Sequence, residues 1–484
     1  MSKPEKTLYI YKVLGDIARY EKVSYIVDGH EENDVYLSSD ALASYYMKKD
    51  FDVKVFYICP CSMVEDKSLL YDFNENKIKE IFKDKISSYS KCGNFDVIIV
   101  NSIGRYRIGD VEFEFESAPN NIQLQLFFEM LKHERNIDDE LMIIADISTG
   151  YNLYVSTLLE ALRAIIVKRK LQKRGIKAKY AISEPIMRNL KKDKYRIYLC
   201  EYDVKAFFES PIRGRRIDDI CKPEYYIEVD ENLKMKIGKE TEYLRKNLKN
   251  FLDIFTLAFN SIKYNTPLAF YTRKNNNQKM IDLNFKIKDL ENGLIEFFTE
   301  KCEGIIKPKI SKSENKIYTY TVKDKELINI FYSMAIYTFI KNKLEKKVEE
   351  DEPNIFDILL TFSPLYKELN LSLNDRFLKR EIKDMKVNKD IIPDKWTEYR
   401  EVIRKKDGKG DEKSETQKKC SNTVRNFFAH SGFESSVIEV KRDEEKIRVR
   451  YKSDKLNDVE SWIKESPEKI KEDLEKDCNN HEPK

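Results

Sequence analysis

Arg425 and His430 stand five residues apart in the run Arg-Asn-Phe-Phe-Ala-His-Ser-Gly at 425–432, in a chain with only four histidines. Arginine is always charged, and its planar fork matches a phosphodiester. Histidine titrates near neutral pH and serves as general acid or base. Together they are sufficient parts for cutting RNA with the RNA's own 2′-OH as nucleophile, without a metal. The spacing alone arises easily by chance in a chain rich in basic residues, so its context matters. Asn426 and His430 are i, i+4 and share a helix face, where the amide could orient the imidazole. On a regular helix Arg425 and His430 point roughly 140° apart, so a continuous helix cannot aim both at one point. Two arrangements would solve this. The helix could end near Ser431-Gly432, with glycine in the left-handed cap position, or a second copy could contribute across a symmetric dimer interface. The competing reading is a capped helix with a surface arginine and a satisfied histidine. His30, His133 and His481 have no such arginine partner.

The elements that must position these residues belong to a chain of 484 residues, long enough for two or three domains. Apolar content is 41%, with no run of eighteen apolar residues and no signal-peptide pattern in Met-Ser-Lys-Pro-Glu-Lys, so a membrane span is not expected. The eight cysteines are scattered and offer no CxxC pair or Cys/His cluster for zinc; they read as reduced thiols in a cytoplasmic protein. The 88 basic residues nearly balance 84 acidic ones, so the net +4 gives no general nucleic-acid footprint and any such contact must be local.

Residues 1–205 alternate short apolar strands with amphipathic helices. Strands are expected at Leu8–Tyr11, Val23–Val27, Val53–Ile58, Val97–Val100, Leu141–Ile147, Lys179–Ile182 and Tyr195–Cys200. Helices are expected over Leu37–Met47 (with Ser38-Ser39 where a cap would sit), Lys67–Phe82, Ile122–Lys132 and Tyr154–Ile166. The pattern predicts an α/β unit, Rossmann-like, with a mostly parallel sheet covered on both faces. Ligands of such sheets gather beyond the carboxyl ends of the strands. Two strand ends carry suitable chemistry, Asn101-Ser102-Ile103-Gly104 and Asp146-Ile147-Ser148-Thr149-Gly150, the second opening a helix. Without GxGxxG or a Walker lysine, neither NAD nor ATP is favoured. Ordinary strand-to-helix turns are the competing reading. Residues 206–320 read as a connector of mixed structure, with a basic cluster at Arg213-Gly214-Arg215-Arg216 and a helix over Thr241–Ile262. Residues 321–484 read as all-α with a small β-hairpin. Helices fit Lys325–Val348, Ile355–Leu369 and Lys395–Arg404, residues 405–419 form a mobile loop, and the hairpin pairs Val437–Val440 with Ile447–Tyr451.

These pieces resemble the two-domain CARF–HEPN ribonucleases attached to type III CRISPR systems. The resemblance rests on Asp146-Ile147-Ser148-Thr149-Gly150-Tyr151-Asn152 as the glycine loop of a Rossmann-like CARF sensor. It rests equally on Arg425-Asn426-Phe427-Phe428-Ala429-His430 as the Arg-x4-6-His signature of a HEPN domain, with Ala-His-Ser-Gly and a hairpin following. Relatives that carry Thr-His before the glycine differ from Ser148-Thr149 here, which bears on ligand contact and on any cleavage of the ligand by the sensor.

The resemblance implies a homodimer activated by a cyclic oligoadenylate, most often the tetra-adenylate, with no other cofactor and no metal. Ser148, Thr149, Gly150, Tyr151 and Asn152 would line the ligand pocket, with Asn101, Ser102 and Gly104 opposite and Gly15, Asp16 and Ser38 as weaker candidates. The effector would cut single-stranded RNA, with Arg425 on the scissile phosphate, His430 moving protons and Asn426 positioning either. A nucleotide-sensing regulator or RNA-binding protein without nuclease activity is the alternative; so is a HEPN toxin sensing another nucleotide. Ring size, base preference, activator degradation and stacking of dimers into higher oligomers stay open.

Overall fold

The computed structural model describes residues 6–135, 137, 140–148, 152–186, 192–300, 305–406 and 419–465. They form two compact units, residues 1–245 with 288–335 and residues 246–287 with 336–484.

The first unit is built on an eight-stranded sheet. Its strands are β1 (Lys6–Val13), β2 (Val23–Val27), β3 (His30–Val35), β4 (Phe51–Pro60), β5 (Phe95–Val100), β8 (Leu141–Asp146), β9 (Ile176–Ser183) and β10 (Lys194–Glu201), in the spatial order β3-β2-β10-β9-β8-β1-β4-β5. The central five, β9-β8-β1-β4-β5, run parallel. β8 is buried along its whole length and β5 over its last four residues, and both carry the near-continuous Val, Ile and Leu content that burial on both faces demands. Helices α1 (Ser38–Met47), α2 (Lys67–Tyr71) and α3 (Glu75–Ser87) pack on one face against Leu8, Ile10, Val55 and Ile99. On the other face lie α4 (Pro119–Glu134) and α5 (Asn152–Leu171), where His133 of α4 stacks on Phe56 at 3.9 Å.

The sheet is mostly parallel, as expected, with antiparallel pairs at β9–β10 and β2–β3. Other expectations need correction. Coverage of the sheet is incomplete: the cross-strand neighbours Ile182 and Tyr198 remain 38% and 50% exposed. The single helix expected over 67–82 is two, because the Asn74 side chain accepts from Lys77 N and starts α3 afresh. Ser38 and Ser39 do not cap α1; the cap position is Leu37, without a side-chain bond.

A hairpin, β6 (Gly104–Ile108) and β7 (Val111–Glu116), follows β5. It joins β12 (Lys309–Ser311) and β13 (Lys316–Tyr318) in a second sheet ordered β12-β13-β7-β6. Residues near 310 thereby complete a unit that begins at the N-terminus. The same unit holds α6 (Ile217–Ile220), α7 (Glu231–Glu240), α9 (Ile287–Thr299) and the short pair β11 (Ile227–Glu228) with β14 (Thr321–Val322).

The second unit is mainly helical. It contains most of α8 (Glu242–Lys263), the C-terminal part of α10 (Asp324–Leu344), and α11 (Ile355–Glu368), α12 (Ser372–Val387), α13 (Tyr399–Lys406), α14 (Lys419–Ala429) and α15 (Leu456–Lys464). The expected hairpin is present as β16 (Ile438–Asp443) and β17 (Lys446–Tyr451), extended by β15 (Thr397–Glu398). Phe251, Phe255, Tyr337, Phe362, Phe427 and Val449 fill its interior. The loop expected at 405–419 falls largely outside the described residues.

Candidate functional site

Strands β1 and β8 lie side by side with Lys12 opposite Asp146; among the parallel strands the chain passes from β1, by way of β2, β3 and α1, to β4 and β5 on one side, and from β8 to β9 on the other. That divergence is the switch point of an open α/β sheet, where a crevice forms beyond the carboxyl ends. Its floor is a closed polar network. The Asp146 carboxylate, fully buried, accepts from Lys12 Nζ at 3.0 Å, Ser38 Oγ at 2.7 Å and Ser148 N at 3.1 Å. Lys12 also donates to Ser38 Oγ at 2.8 Å, and Ser183 N donates to Ser148 Oγ at 2.9 Å. Two buried charges tolerate such a place because each faces the other and the spare lone pairs are filled.

The candidate ligand residues therefore divide. Ser38 is consumed by the network rather than open to a ligand. Ser148, Gly15, Asp16 and Asn152 are at least partly accessible around the crevice. Gly15 N donates to the Tyr20 hydroxyl at 2.8 Å, and Asp16 caps Ala18 and pairs with Arg19. Thr149, Gly150 and Tyr151 lie outside the described residues. Asn101 and Ser102 are buried at the end of β5, three strands from β8, or about 14 Å at the usual strand spacing. Asn101 Nδ2 donates to Ile306 O at 2.9 Å, and Ser102 Oγ accepts from Ser62 N at 2.8 Å. Gly104, exposed at a φ of +110°, starts the hairpin. Tyr154 on α5 is buried, and that burial raises its phenol, with Ser102 and the backbone at Ile103 acting in the opposite direction. Sequence reading took Tyr154 only as part of an apolar stripe.

In the second unit α14 carries Arg425, Asn426 and Phe427 and stops at Ala429. The stop is a left-handed turn: Ser431 and Gly432 have φ of +57° and +78°, and Gly432 N donates to Phe427 O at 2.8 Å. A methyl on Gly432 would meet the Tyr451 hydroxyl at 2.9 Å and Thr266 Cα at 3.2 Å, so close approach and backbone sign both require glycine there. The turn leaves His430 exposed just past the helix end. Phe427, one turn before it, is buried against Tyr451 and Trp462 and anchors the helix.

Arg425 is exposed and has no ion pair with a described residue. No described residue hydrogen-bonds the Asn426 side chain, so the expected Asn426–imidazole contact is not formed. Glu381 on α12 takes that place, with both carboxylate oxygens 3.3 Å from His430 Nδ1. This hydrogen bond, first among the causes, raises the imidazole above the ordinary histidine value; partial burial and the nearby Arg380 oppose it, and Glu434 adds to it. A protonated imidazole and an exposed guanidinium at the end of one helix are groups that can hold a phosphate and hand a proton to a leaving oxygen. Sequence reading missed Glu381, which lies 49 residues away on a helix it did not predict.

Among the described residues no cluster of three His, Cys, Asp or Glu side chains could hold a metal ion, and no helix is long and apolar enough to cross a membrane. Cys59 and Cys61 are free and buried, and burial pushes both thiols up.

Residues 9–185 match the family described as the CARF domain of CRISPR system endoribonuclease Csx1, and residues 371–453 match its HEPN domain. The chain is also similar to a CRISPR system endoribonuclease Csx1 of Methanocaldococcus jannaschii, 23% identical over 449 residues, covering 88% of this chain and 85% of that protein. The first match contains the crevice residues, and the second contains Glu381, Arg425, Asn426 and His430.

Proposed function

We propose, for a chain that belongs to the CRISPR-associated CARF–HEPN ribonucleases, that it is an endoribonuclease cutting single-stranded RNA under the control of a cyclic oligoadenylate. The observation that carries this reading is the pair Arg425 and His430 at the end of α14, with Glu381 holding the imidazole. Arg425 neutralises the scissile phosphate and the charge that grows on it. The 2′-OH gives up its proton to solvent as it attacks phosphorus, the bond to the 5′-oxygen breaks, and protonated His430 donates its proton to that oxygen, to be reprotonated from solvent. The products are a 2′,3′-cyclic phosphate and a 5′-hydroxyl, and no step calls on a metal ion. Asn426, beside Arg425, is assigned to the phosphate rather than to the imidazole.

A homodimer fits this reading because one helix end presents a single Arg–His pair on an exposed surface. Beside it, α12 and the turn after it expose Leu373, Phe377, Val387 and Ile391 to solvent, a stripe suited to a symmetric contact. The ligand would occupy the crevice between the ends of β1 and β8, against Ser148, Thr149, Gly150, Tyr151, Asn152, Gly15 and Asp16. Asn101, Ser102 and Gly104 would face its far side. The tetra-adenylate ring is the favoured activator, and the setting is cytoplasmic antiviral defence of the type III kind.

The test is cleavage of end-labelled single-stranded RNA in EDTA, with and without cyclic tetra-adenylate, by wild type, His430→Ala and Arg425→Ala. Cutting that needs the ring and both side chains is the expected result. Full cutting by His430→Ala would overturn the assignment, and cutting without any ring would remove the switch from it.

A further inference from the structure

His430 and Glu381 sit on different elements, and something must fix the distance between them. Neither element is tied to the other by the pair itself, which is exposed on the histidine side. Behind them lies the loop that ends α8. Asn265 there is 4% exposed, adopts a φ of +58°, and uses both hydrogens of one side-chain amide. One goes to the backbone oxygen of Asn374 at 3.2 Å, the other to Ser431 Oγ at 2.7 Å. Asn374 is the third residue of α12, and Glu381 lies seven residues on, about two turns along nearly the same face. Ser431 is fully buried and follows His430 directly.

The bracing is reciprocal. Asn374 Nδ2 donates back to the last carbonyls of α8, Ile262 O at 2.8 Å and Lys263 O at 3.1 Å. Thr266, next to Asn265, packs its Cα where a side chain on Gly432 would fall. The end of α8 thus touches both the start of α12 and the turn after α14.

We propose that Asn265 is a positioning residue for His430, a single amide that sets the spacing of Glu381 and the imidazole by holding α12 and the 430–432 turn together. This rests on His430 being the proton-transfer group. The groups facing its ring are Glu381 and Arg380 from α12 and Glu434 from its own loop; both α12 groups move with this spacing, and the Glu381 hydrogen bond, the largest influence, sets the direction of the change.

Asn265→Gly is the informative variant, because glycine keeps the left-handed backbone and removes both donors. Ser431→Gly removes the acceptor alone, also at a positive φ, and serves if the first variant folds poorly. Each is made in the full chain, and the His430 ring is titrated by NMR without activator, its resonance identified by its loss in His430→Ala. The expected result is a midpoint lowered in the same direction as in Glu381→Gln, with no further change when the two substitutions are combined. With cyclic tetra-adenylate and labelled RNA, kcat falls roughly tenfold or more while KM changes little. A wild-type midpoint in both glycine variants, or additive shifts with Glu381→Gln, overturns the proposal. If His430→Ala still cuts RNA fully, the catalytic reading fails, and the titration still decides whether Asn265 positions the ring.

Discussion

At the scale of single residues, the proposed chemistry turns on which state His430 occupies near neutral pH. Glu381 raises its titration, so the protonated form persists to higher pH than in an isolated histidine. That suits donation to the leaving oxygen and makes the neutral, base-competent form scarcer. The sign follows: the rate limb that needs protonated His430 falls as pH rises through the raised value. Glu381→Gln should move that limb to lower pH and leave the RNA products unchanged, read from kcat between pH 5 and 9. An unmoved limb would mean that another group sets it. Arg425 and His430 were legible in the sequence as types and spacing. Glu381 was not, because a lone glutamate in a charged segment carries no mark of the partner it will meet.

Among elements, the strands were the most legible. Val97–Val100 and Leu141–Ala145 are apolar at every position because the sheet buries both of their faces. Helix α12 escaped detection for the opposite reason: its sequence is dominated by charge, and a narrow stripe of Leu378, Ile382 and Met385 is its apolar signal. Ser38 misled because serine at a helix start normally caps, whereas here its hydroxyl turns into the sheet towards Lys12 and Asp146. That network makes β1, β8 and α1 interdependent. Asp146→Asn leaves Lys12 buried without its counter-charge and should cost about 3–5 kcal/mol. Lys12→Met combined with Asp146→Leu should recover much of that loss. Urea unfolding of the three proteins checks both, and an Asp146→Asn midpoint within error of wild type would show that the charge is otherwise satisfied.

For the molecule as a whole, acid acts on the sheet through one buried histidine. His133 lies between α4 and the sheet, stacked on Phe56 and 3.1 Å from the Tyr11 hydroxyl, and burial lowers its titration to about 4. The unfolded chain takes up that proton near pH 6.5, so stability is full above that value and declines as pH falls towards 4, by at most about 3 kcal/mol. Replacing His133 with Phe should flatten this part of the stability curve, measured as unfolding midpoints at pH 7 and 4.5. The division into an α/β and a helical part was legible from the change in hydrophobic period. The discontinuity was not, because two-residue and three-residue strands such as β12 to β14 leave almost no periodic signal. That second sheet pairs residues 104–116 with 309–318, and the first unit draws on residues up to 335. On a ribosome adding about 5–20 residues per second, β10 emerges roughly 7–27 s before the last of those residues is made. Through that interval the open edge of β7 and the face of α4 at Phe127 and Phe128, which meets Phe298 and Phe331, await their partners, so the nascent first unit should be a client for chaperones rather than a finished domain.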